Sequence, residues 1–290
     1  MSDDHYVPIQ MIRRFASDDR RGLLELRKPD MIIGTKWRPP KGILFAQDYY
    51  KDIGGDIDPF FRRIEQRFAR HYAVFVEAPS RRRVSDGVAG AALVDWIASM
   101  LSRTSFIVSA STAAALKDNP AAAIINHLAS NSIRLGWYSQ MQDMISRPNF
   151  KWASLSFPAD EPVVLSDNPV LITKSSRKGP FVVICPLTKR RVLVGGHRDS
   201  IARFRTATPR TLNKFIAAWA GHRIYGCSRA VLEHVVEDLS GHSRWATDAR
   251  KPFCGHVEKI RKMRNPTARE VEEFWSGMLE RFGPSILNTG

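Results

Sequence analysis

Five side chains of this sequence are of types that take part in acid–base chemistry, ion pairs or hydrogen bonds at functional sites, although they lie far apart along the chain. They are His5, Glu65, Arg103, Asp167 and Asn168. Imidazole titrates near neutral pH and can transfer a proton, and a carboxylate can orient it. We therefore expect His5, Asp167 and Asn168 to converge at one site. The alternative is a His–Asp clamp that closes the fold without taking part in a reaction.

Asp167 and Asn168 lie in a polar tetrapeptide, Ser-Asp-Asn-Pro, between two apolar runs. The runs are Val163–Leu165 and Val170–Thr173, and their length and β-branched residues predict two short strands. Asp and Asn bond to their own backbone in turns, and Pro fixes φ without supplying an N–H group. Polar groups at such a corner of a sheet are often functional, and they are also often simple turn formers. Both interpretations are open at this point.

The residues before Pro148 have helical periodicity, and those after it are β-branched. Asp58, as an N-cap, and Pro59 predict the start of a helix that contains Glu65. Two further helices are predicted over 84–112 and 119–147, with apolar positions that include Val88 and Leu135. Arg103 and Arg134 stand within these otherwise apolar helices. An arginine in such a place is typically either at the surface or in an ion pair.

Short strands separated by turn residues follow between Trp152 and Val194, which is typical of an antiparallel meander. A run of helices followed by a run of strands predicts an α+β fold, with a helical layer packed on a mainly antiparallel sheet. The helix that starts at Thr208-Pro209 should lie against the same sheet. A short helix within 5–15 and strands at 23–26 and 224–228 complete the pattern.

The sequence predicts two parts, a domain over 1–239 and a C-terminal helical appendage over 240–290. Residues 240–266 are polar and basic, and a capping box from Thr267 to Glu270 starts an amphipathic helix. The apolar stripe of this helix needs a cover. The domain itself, a partner protein or a second copy of the chain bound through 267–290 would supply one.

The net charge of +15 is unusual, and it is concentrated in two stretches. Residues 174–210 hold ten Lys and Arg against one acid, and 244–264 hold seven against two. Clustered basic charge is the electrostatic signature of a polyanion partner, most often DNA or RNA. A solvated basic surface is the alternative. The candidate nucleic-acid-binding residues are Lys189, Arg190, Arg191, Arg198, Arg261, Lys262 and Arg264.

Several classes of protein are disfavoured. No apolar run approaches the roughly 18 residues of a membrane span, and the polar start with three widely spaced cysteines indicates a cytoplasmic protein. The motifs HExxH, CxxC, GxSxG and GxGxxG do not occur. No cofactor is predicted apart from Mg²⁺, which a nuclease interpretation would place near Glu161 and Asp167. Without a metal, His5 could act as acid or base while arginines hold phosphate.

Several short segments together resemble the DUF4238 family, a bacterial family of unknown function. The resemblance covers about residues 5–228, and its two signatures are His-Tyr-Val-Pro near the N-terminus and the later Ser-Asp-Asn-Pro. It implies that His5, Asp167 and Asn168 meet at one site. The segments that carry it are His5–Pro8, Arg14-Phe15, Glu65, Arg103, Leu165–Val170, Cys185–Leu187, Leu212-Asn213 and Arg223–Tyr225.

Three functions are consistent with these features, and the sequence does not decide whether the protein is an enzyme. The first is an enzyme acting on nucleic acid, such as a nuclease effector in bacterial defence. The second is a non-catalytic nucleic-acid-binding protein with a purely structural Ser-Asp-Asn-Pro turn. The third is a protein–protein interaction subunit that uses the C-terminal helix.

Overall fold

The computed structural model describes most of the domain predicted over 1–239. The described residues are 3–47, 49–52, 55–77, 87–103, 130–174, 181–204 and 206–240. The predicted helical segments 104–112, 119–129 and 267–290 lie outside them, as do Arg261, Lys262 and Arg264.

The described part of the chain is α+β, as predicted. Its seven α-helices are α1 (Ile9–Arg13), α2 (Asp58–Val76), α3 (Gly87–Arg103), α4 (Ser130–Ile145), α5 (Arg198–Phe204), α6 (Pro209–Trp219) and α7 (Arg229–Ser240).

The described strands form two four-stranded antiparallel sheets and two short two-stranded sheets. The first large sheet has the order β7-β11-β10-β9 and the second the order β3-β2-β12-β8, while β1 pairs with β4 and β5 with β6. The strands are β1 (Asp3–His5), β2 (Leu24–Arg27), β3 (Ile32–Ile33), β4 (Phe45–Gln47), β5 (Lys51–Asp52), β6 (Gly55–Asp56), β7 (Lys151–Ser156), β8 (Leu165–Ser166), β9 (Leu171–Lys174), β10 (Phe181–Thr188), β11 (Arg191–Gly196) and β12 (Arg223–Gly226).

The two large sheets separate two hydrophobic cores. Alternation along the strands directs Trp152 and Tyr225 into one core, with side chains of α2, α3 and α4. The neighbouring residues, Ala153 and Ile224, enter the other core, with side chains of α5, α6 and α7. The predicted helical layer on an antiparallel sheet is confirmed. The helix that starts at Pro209 covers the opposite face.

The two strands beside the Ser-Asp-Asn-Pro corner belong to different sheets. β8 pairs with β12, with Leu165 opposite Tyr225 and Ser166 opposite Ile224, whereas β9 pairs with β10. The single meander predicted over 151–195 is therefore wrong at β8. Residues 166–170 carry the chain from one sheet to the other, which the local sequence could not reveal because β12 lies more than 50 residues away.

Local backbone features depart from the predictions at four places. Asp3–His5 is a strand paired with β4, and helix α1 starts only at Ile9, with Pro8 at its N-cap position. At helix α2 the N-cap residue is Ile57, not Asp58. Strand β10 continues through the predicted turn at Pro186 by means of a bulge, and the seven-residue helix α5 was not predicted.

Two predicted core positions are at the surface. Val88 is 66% exposed and Leu135 is 37% exposed. Helical periodicity extended each stripe to a position that the packing of the three helices leaves uncovered. None of the helices in the described ranges is both long and apolar enough to cross a membrane.

Gly195 is required by close packing rather than by a turn. It lies within β11, where a Cβ atom would come 2.5 Å from the ring of Trp152 and 2.6 Å from that of Phe150. Gly195 thus makes room for two aromatic rings.

Replacing Gly195 by Ala should overpack this site and lower the free energy of unfolding by about 1–3 kcal/mol. Gly136→Ala is the matched control, because a Cβ at this position in helix α4 meets nothing within 4 Å, and alanine is the better helix former. Urea unfolding of both variants checks the prediction. Equal stability of Gly195→Ala and wild type would contradict it.

Candidate functional site

Asp167 ties the crossing between the two sheets to the loop that precedes β12. Its carboxylate accepts three backbone hydrogen bonds, from the N–H groups of Gly221 at 2.7 Å, His222 at 2.7 Å and Arg223 at 3.2 Å. Both carboxylate oxygens are engaged, and such charge-assisted bonds are strong. The side chain therefore fixes the start of β12.

Its neighbours complete a set of contacts that we call the corner clamp, made of Ser166, Asp167, Asn168 and Asn213. The Ser166 hydroxyl donates to the Asn168 carbonyl at 2.8 Å and accepts from its N–H at 3.3 Å. Asn168 donates its amide to the carbonyl of Trp219, the last residue of α6, at 3.3 Å. These bonds satisfy polar groups at a turn and a helix end.

Asn213 connects helix α6 to the segment before β8. Its amide oxygen accepts from the N–H of Val164 at 2.9 Å, and its amide nitrogen donates to the carbonyl of Pro162 at 3.0 Å. The buried side chain thus pairs with the backbone as a neighbouring strand would. The corner clamp holds secondary-structure elements together, which supports the turn-former interpretation and extends it to tertiary structure.

A second polar group lies among the helices and is built around Tyr49, Tyr50, Arg103 and Arg134; we call it the tyrosine–arginine cluster. The Arg134 guanidinium lies 4.3 Å from the Tyr49 ring centroid and 5.6 Å from that of Tyr50. The Arg103 guanidinium lies 6.0 Å from the Tyr50 centroid, and the Tyr49 hydroxyl donates to the Arg103 carbonyl at 2.6 Å. Arg103 and Arg134, from different helices, thus both contact the tyrosine pair, while the Arg103 guanidinium lies closest to the Phe61 ring, 4.5 Å from its centroid.

Both arginines are buried, Arg103 with 0% and Arg134 with 3% of its surface exposed. Arg134 donates to Asn131, whose amide donates to the backbone of Tyr50. Arg103 is paired with Glu65 and donates to the Phe61 carbonyl at 3.4 Å. Its Nε is buried and has no hydrogen-bond partner within the described part of the chain.

Burial alone would lower the pKa of Arg103, but Tyr50 and Glu65 more than offset burial and the net shift is upward. The guanidinium is therefore held in its charged form.

The cluster reaches the surface at Glu65, Tyr49, Tyr6 and His5. The Glu65 side chain is 32% exposed, and the other three residues are half-buried. Tyr50 donates its hydroxyl to the His5 carbonyl at 3.3 Å, and the Tyr6 and Tyr49 rings are 5.4 Å apart. These four residues form the rim of the cluster, and within it the His5 ring packs on Phe45 with centroids 5.6 Å apart.

The predicted site residues fall into two groups. His5, Glu65 and Arg103 belong to the tyrosine–arginine cluster and its rim, while Asp167 and Asn168 belong to the corner clamp. Tyr6 links the two groups, because burial, followed by the charge of Asp167, raises its pKa. A hydrogen bond between His5 and Asp167 stays a prediction.

The sequence did not single out Tyr49, Tyr50 or Asn131, and it marked Arg134 only as a charge in an apolar helix. The signal for the tyrosines is weak: two adjacent aromatic residues in an irregular segment. An arginine inside an apolar stripe was the informative feature, since a fully buried charge needs partners that also lie inside.

The basic residues of the β10–β11 hairpin differ in exposure. Lys189 is bound to Asp18 at 2.7 Å and to the Ala16 carbonyl at 3.0 Å, so it fastens the hairpin to the segment after α1. Arg191 donates to Ser154 at 3.3 Å, and burial lowers its pKa. Arg190 and Arg198 are exposed.

Neither cysteine of the described ranges has a nucleophile's environment, because burial raises the pKa of both the Cys185 and the Cys227 thiols. The described residues contain no group of three or more His, Cys, Asp or Glu side chains that could hold a metal ion.

The described residues form an α+β protein with two polar groups, the corner clamp and the tyrosine–arginine cluster, the second of which contains two buried arginines. The chain matches, over residues 4–230, the model of a family described as a protein of unknown function, DUF4238. The protein therefore belongs to that family, as the resemblance indicated. No curated protein and no solved structure gives a significant match.

Replacing Asp167 by Ala should lower the free energy of unfolding by about 2–4 kcal/mol, because three backbone N–H groups lose a charged acceptor. Asp167→Asn retains one acceptor oxygen and should cost less. Asp30→Ala, which removes only an exposed ion pair with Arg27, is the control and should change stability by less than about 1 kcal/mol. Urea unfolding that is the same for Asp167→Ala and wild type would rule out the clamp.

All six tyrosines of the chain should titrate only as the protein unfolds. Burial is the largest cause that raises the pKa of each one above its ordinary value of 10, to about 12 for Tyr138 and Tyr225. The others with raised pKa values are Tyr6, Tyr49, Tyr50 and Tyr72.

Between these pKa values and that of the unfolded chain, the folded protein keeps protons that the unfolded protein loses. The contribution of the protonated tyrosines to the free energy of unfolding is therefore complete below pH 10, and it is lost as the pH rises from 10 through the raised pKa values. Absorbance at 295 nm and circular dichroism, followed together in an alkaline titration, should change in one transition. Ionisation of several tyrosines with unchanged circular dichroism would contradict this prediction.

Proposed function

We propose that this protein binds nucleic acid and that the tyrosine–arginine cluster is a contact for a phosphate group. The convergence of Arg103 and Arg134, both buried, on Tyr49 and Tyr50 carries the proposal. Guanidinium groups match phosphate oxygens in charge and geometry. Strongly basic composition supports a polyanionic partner.

The surrounding charge is favourable as well. Residues 1–240 hold 35 Lys and Arg against 23 Asp and Glu, so this part of the chain is basic by itself. Such an excess attracts a polyanion over a distance of about one Debye length. Glu65 stands at the exposed edge of the cluster and pairs with Arg103. A phosphate that binds there would displace the Glu65 carboxylate from Arg103.

A second candidate function, metal-independent cleavage of a phosphodiester, has one observation in its favour. The backbone carbonyl of His5 accepts a hydrogen bond from Tyr50, so an acid–base residue lies in the segment that borders the cluster. An imidazole that moves a proton while arginines hold the phosphate is a known arrangement for such chemistry. The interpretation with Mg²⁺, built on Glu161 and Asp167, has less support, since the Asp167 oxygens bind backbone amides.

Labelled single- and double-stranded RNA and DNA, incubated with the purified full chain, test these functions. Binding should weaken linearly on a log–log plot against salt, because phosphate contacts release counterions. Arg190→Ala and Arg198→Ala, at exposed positions, should lower affinity for all sequences alike. Arg229→Ala, an equal charge change at an exposed position outside the two basic stretches, is the control.

Absence of binding, or affinity that does not change with salt, would rule out the proposed function. Cleavage products that form without Mg²⁺ and disappear in a folded His5→Gln variant would establish the enzymatic function. Cleavage that requires Mg²⁺ would favour the metal-dependent interpretation. Binding without any product would leave a binding protein.

A further inference from the structure

The helical layer contains a cleft that is distinct from the tyrosine–arginine cluster. It lies between α3, the C-terminal end of α4 and the start of β7, and its volume is about 360 Å³. This volume is at the small end of the range for ligand sites, roughly 300–1,000 Å³. Along α3, Ala91 in the cleft and Arg103 in the cluster are twelve residues apart, or about 18 Å.

One side of the cleft is apolar. Helix α3 contributes Gly90, Ala91 and Val94, and the other side includes Phe150 and Trp152. These two aromatic residues are buried in the wall, with ring centroids 5.3 Å apart, and the Trp152 ring lies against Gly195. A flat ring system can pack against the aliphatic groups of such a wall.

The polar groups of the cleft carry both donors and acceptors. Asp95 is already engaged, since it accepts from Arg67 at 2.8 Å, from Gln142 at 2.7 Å and from Tyr138 at 3.3 Å. Asp143, which follows Gln142 in α4, is exposed and also lines the cleft. A carboxylate in this place can accept from the exocyclic amino group of a base.

Two cations and two carboxylates line the cleft, and further cations lie on the neighbouring helix α2. Arg147 and Lys151 both line it and are half-buried. On α2, the exposed residues Arg63 and Arg70 share one helix face with Arg67, because they lie four residues before it and three after it. Arg67 reaches Asp95 in the cleft. Cations therefore stand where a phosphate attached to a bound ring would lie.

From these features we infer that the cleft binds one nucleoside phosphate. The base lies against the apolar wall near Asp143, and Arg147 and Lys151 hold the phosphate. The inference rests on the proposed function and extends it, because the cleft would hold a base while the tyrosine–arginine cluster holds the backbone. The unit is either a free nucleotide or one nucleotide of a single strand.

Filling the cleft tests this inference. Ala91 is exposed on α3 and lines the cleft, so Ala91→Phe should occupy the space without entering the core. Val88→Phe is the matched control, because Val88 is 66% exposed on the same helix and is not among the residues that line the cleft. Circular dichroism and thermal unfolding confirm that both variants fold.

The probes are AMP, GMP, CMP and UMP, with the free nucleosides and inorganic phosphate for comparison, in isothermal titrations with the full chain. At least one monophosphate should bind wild type more tightly than its nucleoside or phosphate alone. Ala91→Phe should weaken this binding by about tenfold or more, which equals about 1.4 kcal/mol, and Val88→Phe should leave it unchanged.

No saturable monophosphate binding, or equal binding by Ala91→Phe and wild type, would overturn the inference. If Ala91→Phe also weakens single-stranded RNA or DNA, the unit belongs to a strand; if it weakens only monophosphates, the unit is a free nucleotide. If no monophosphate binds and Ala91→Phe still binds oligonucleotides, the inference about the cleft is wrong and the proposed function stands. If the wild-type protein binds no oligonucleotide at all, the proposed function is wrong instead.

Discussion

The carboxylate of Asp167, bound to three successive backbone N–H groups, is the contact on which the arrangement of the domain depends. It acts where the chain passes from one sheet to the other, and it fixes Gly221, His222 and Arg223. Consecutive N–H groups that point to one place need an acceptor, and a charged one satisfies all three. Lys28 assists from the other side by donating to the carbonyls of Ala218 and Ala220, each at 2.8 Å.

This contact determines where β12 lies, and through β12 it reaches the N-terminus. β12 is an inner strand of the second sheet, and its Tyr225 stands opposite Glu25. Glu25 pairs with Arg38 at 3.1 Å and lies 3.8 Å from Arg223. Burial, followed by Asp167 and Tyr225, raises the pKa of Tyr6, so Tyr6 lies near both residues. Tyr6 thus links the N-terminal segment electrostatically to the Ser-Asp-Asn-Pro corner.

From Tyr6 the contacts continue through Tyr49 to the buried arginines. The corner clamp thus positions the rim of the tyrosine–arginine cluster without belonging to it. The polar residues of this region thus fall into two kinds. Those of the corner clamp bind backbone groups, and those of the tyrosine–arginine cluster surround two buried arginines and are partly exposed only at the rim.

The sequence predicted much of the fold because helices α2, α6 and α7 and most strands have strong periodicity with clear start signals. It could not predict that β8 joins a different sheet, since pairing with a strand about 60 residues away, as Tyr225 lies from Leu165, leaves no local pattern. It marked Arg103 because a charge in an apolar helix seldom lacks a partner, and Glu65 because it lies on or beside the apolar stripe of α2. It missed Tyr49 and Tyr50 because their importance comes from two helices that are distant in the chain.

The claim that Arg103 belongs to an anion site is tested most directly by the stability of Glu65→Gln with and without inorganic phosphate. Removing the carboxylate leaves a buried guanidinium without its charged partner, and the variant should be less stable than wild type. Phosphate should then raise the melting temperature of Glu65→Gln clearly more than that of wild type, because it replaces the carboxylate beside Arg103. An equal rise in both proteins, as expected from the general stabilising effect of phosphate salts, would contradict the account.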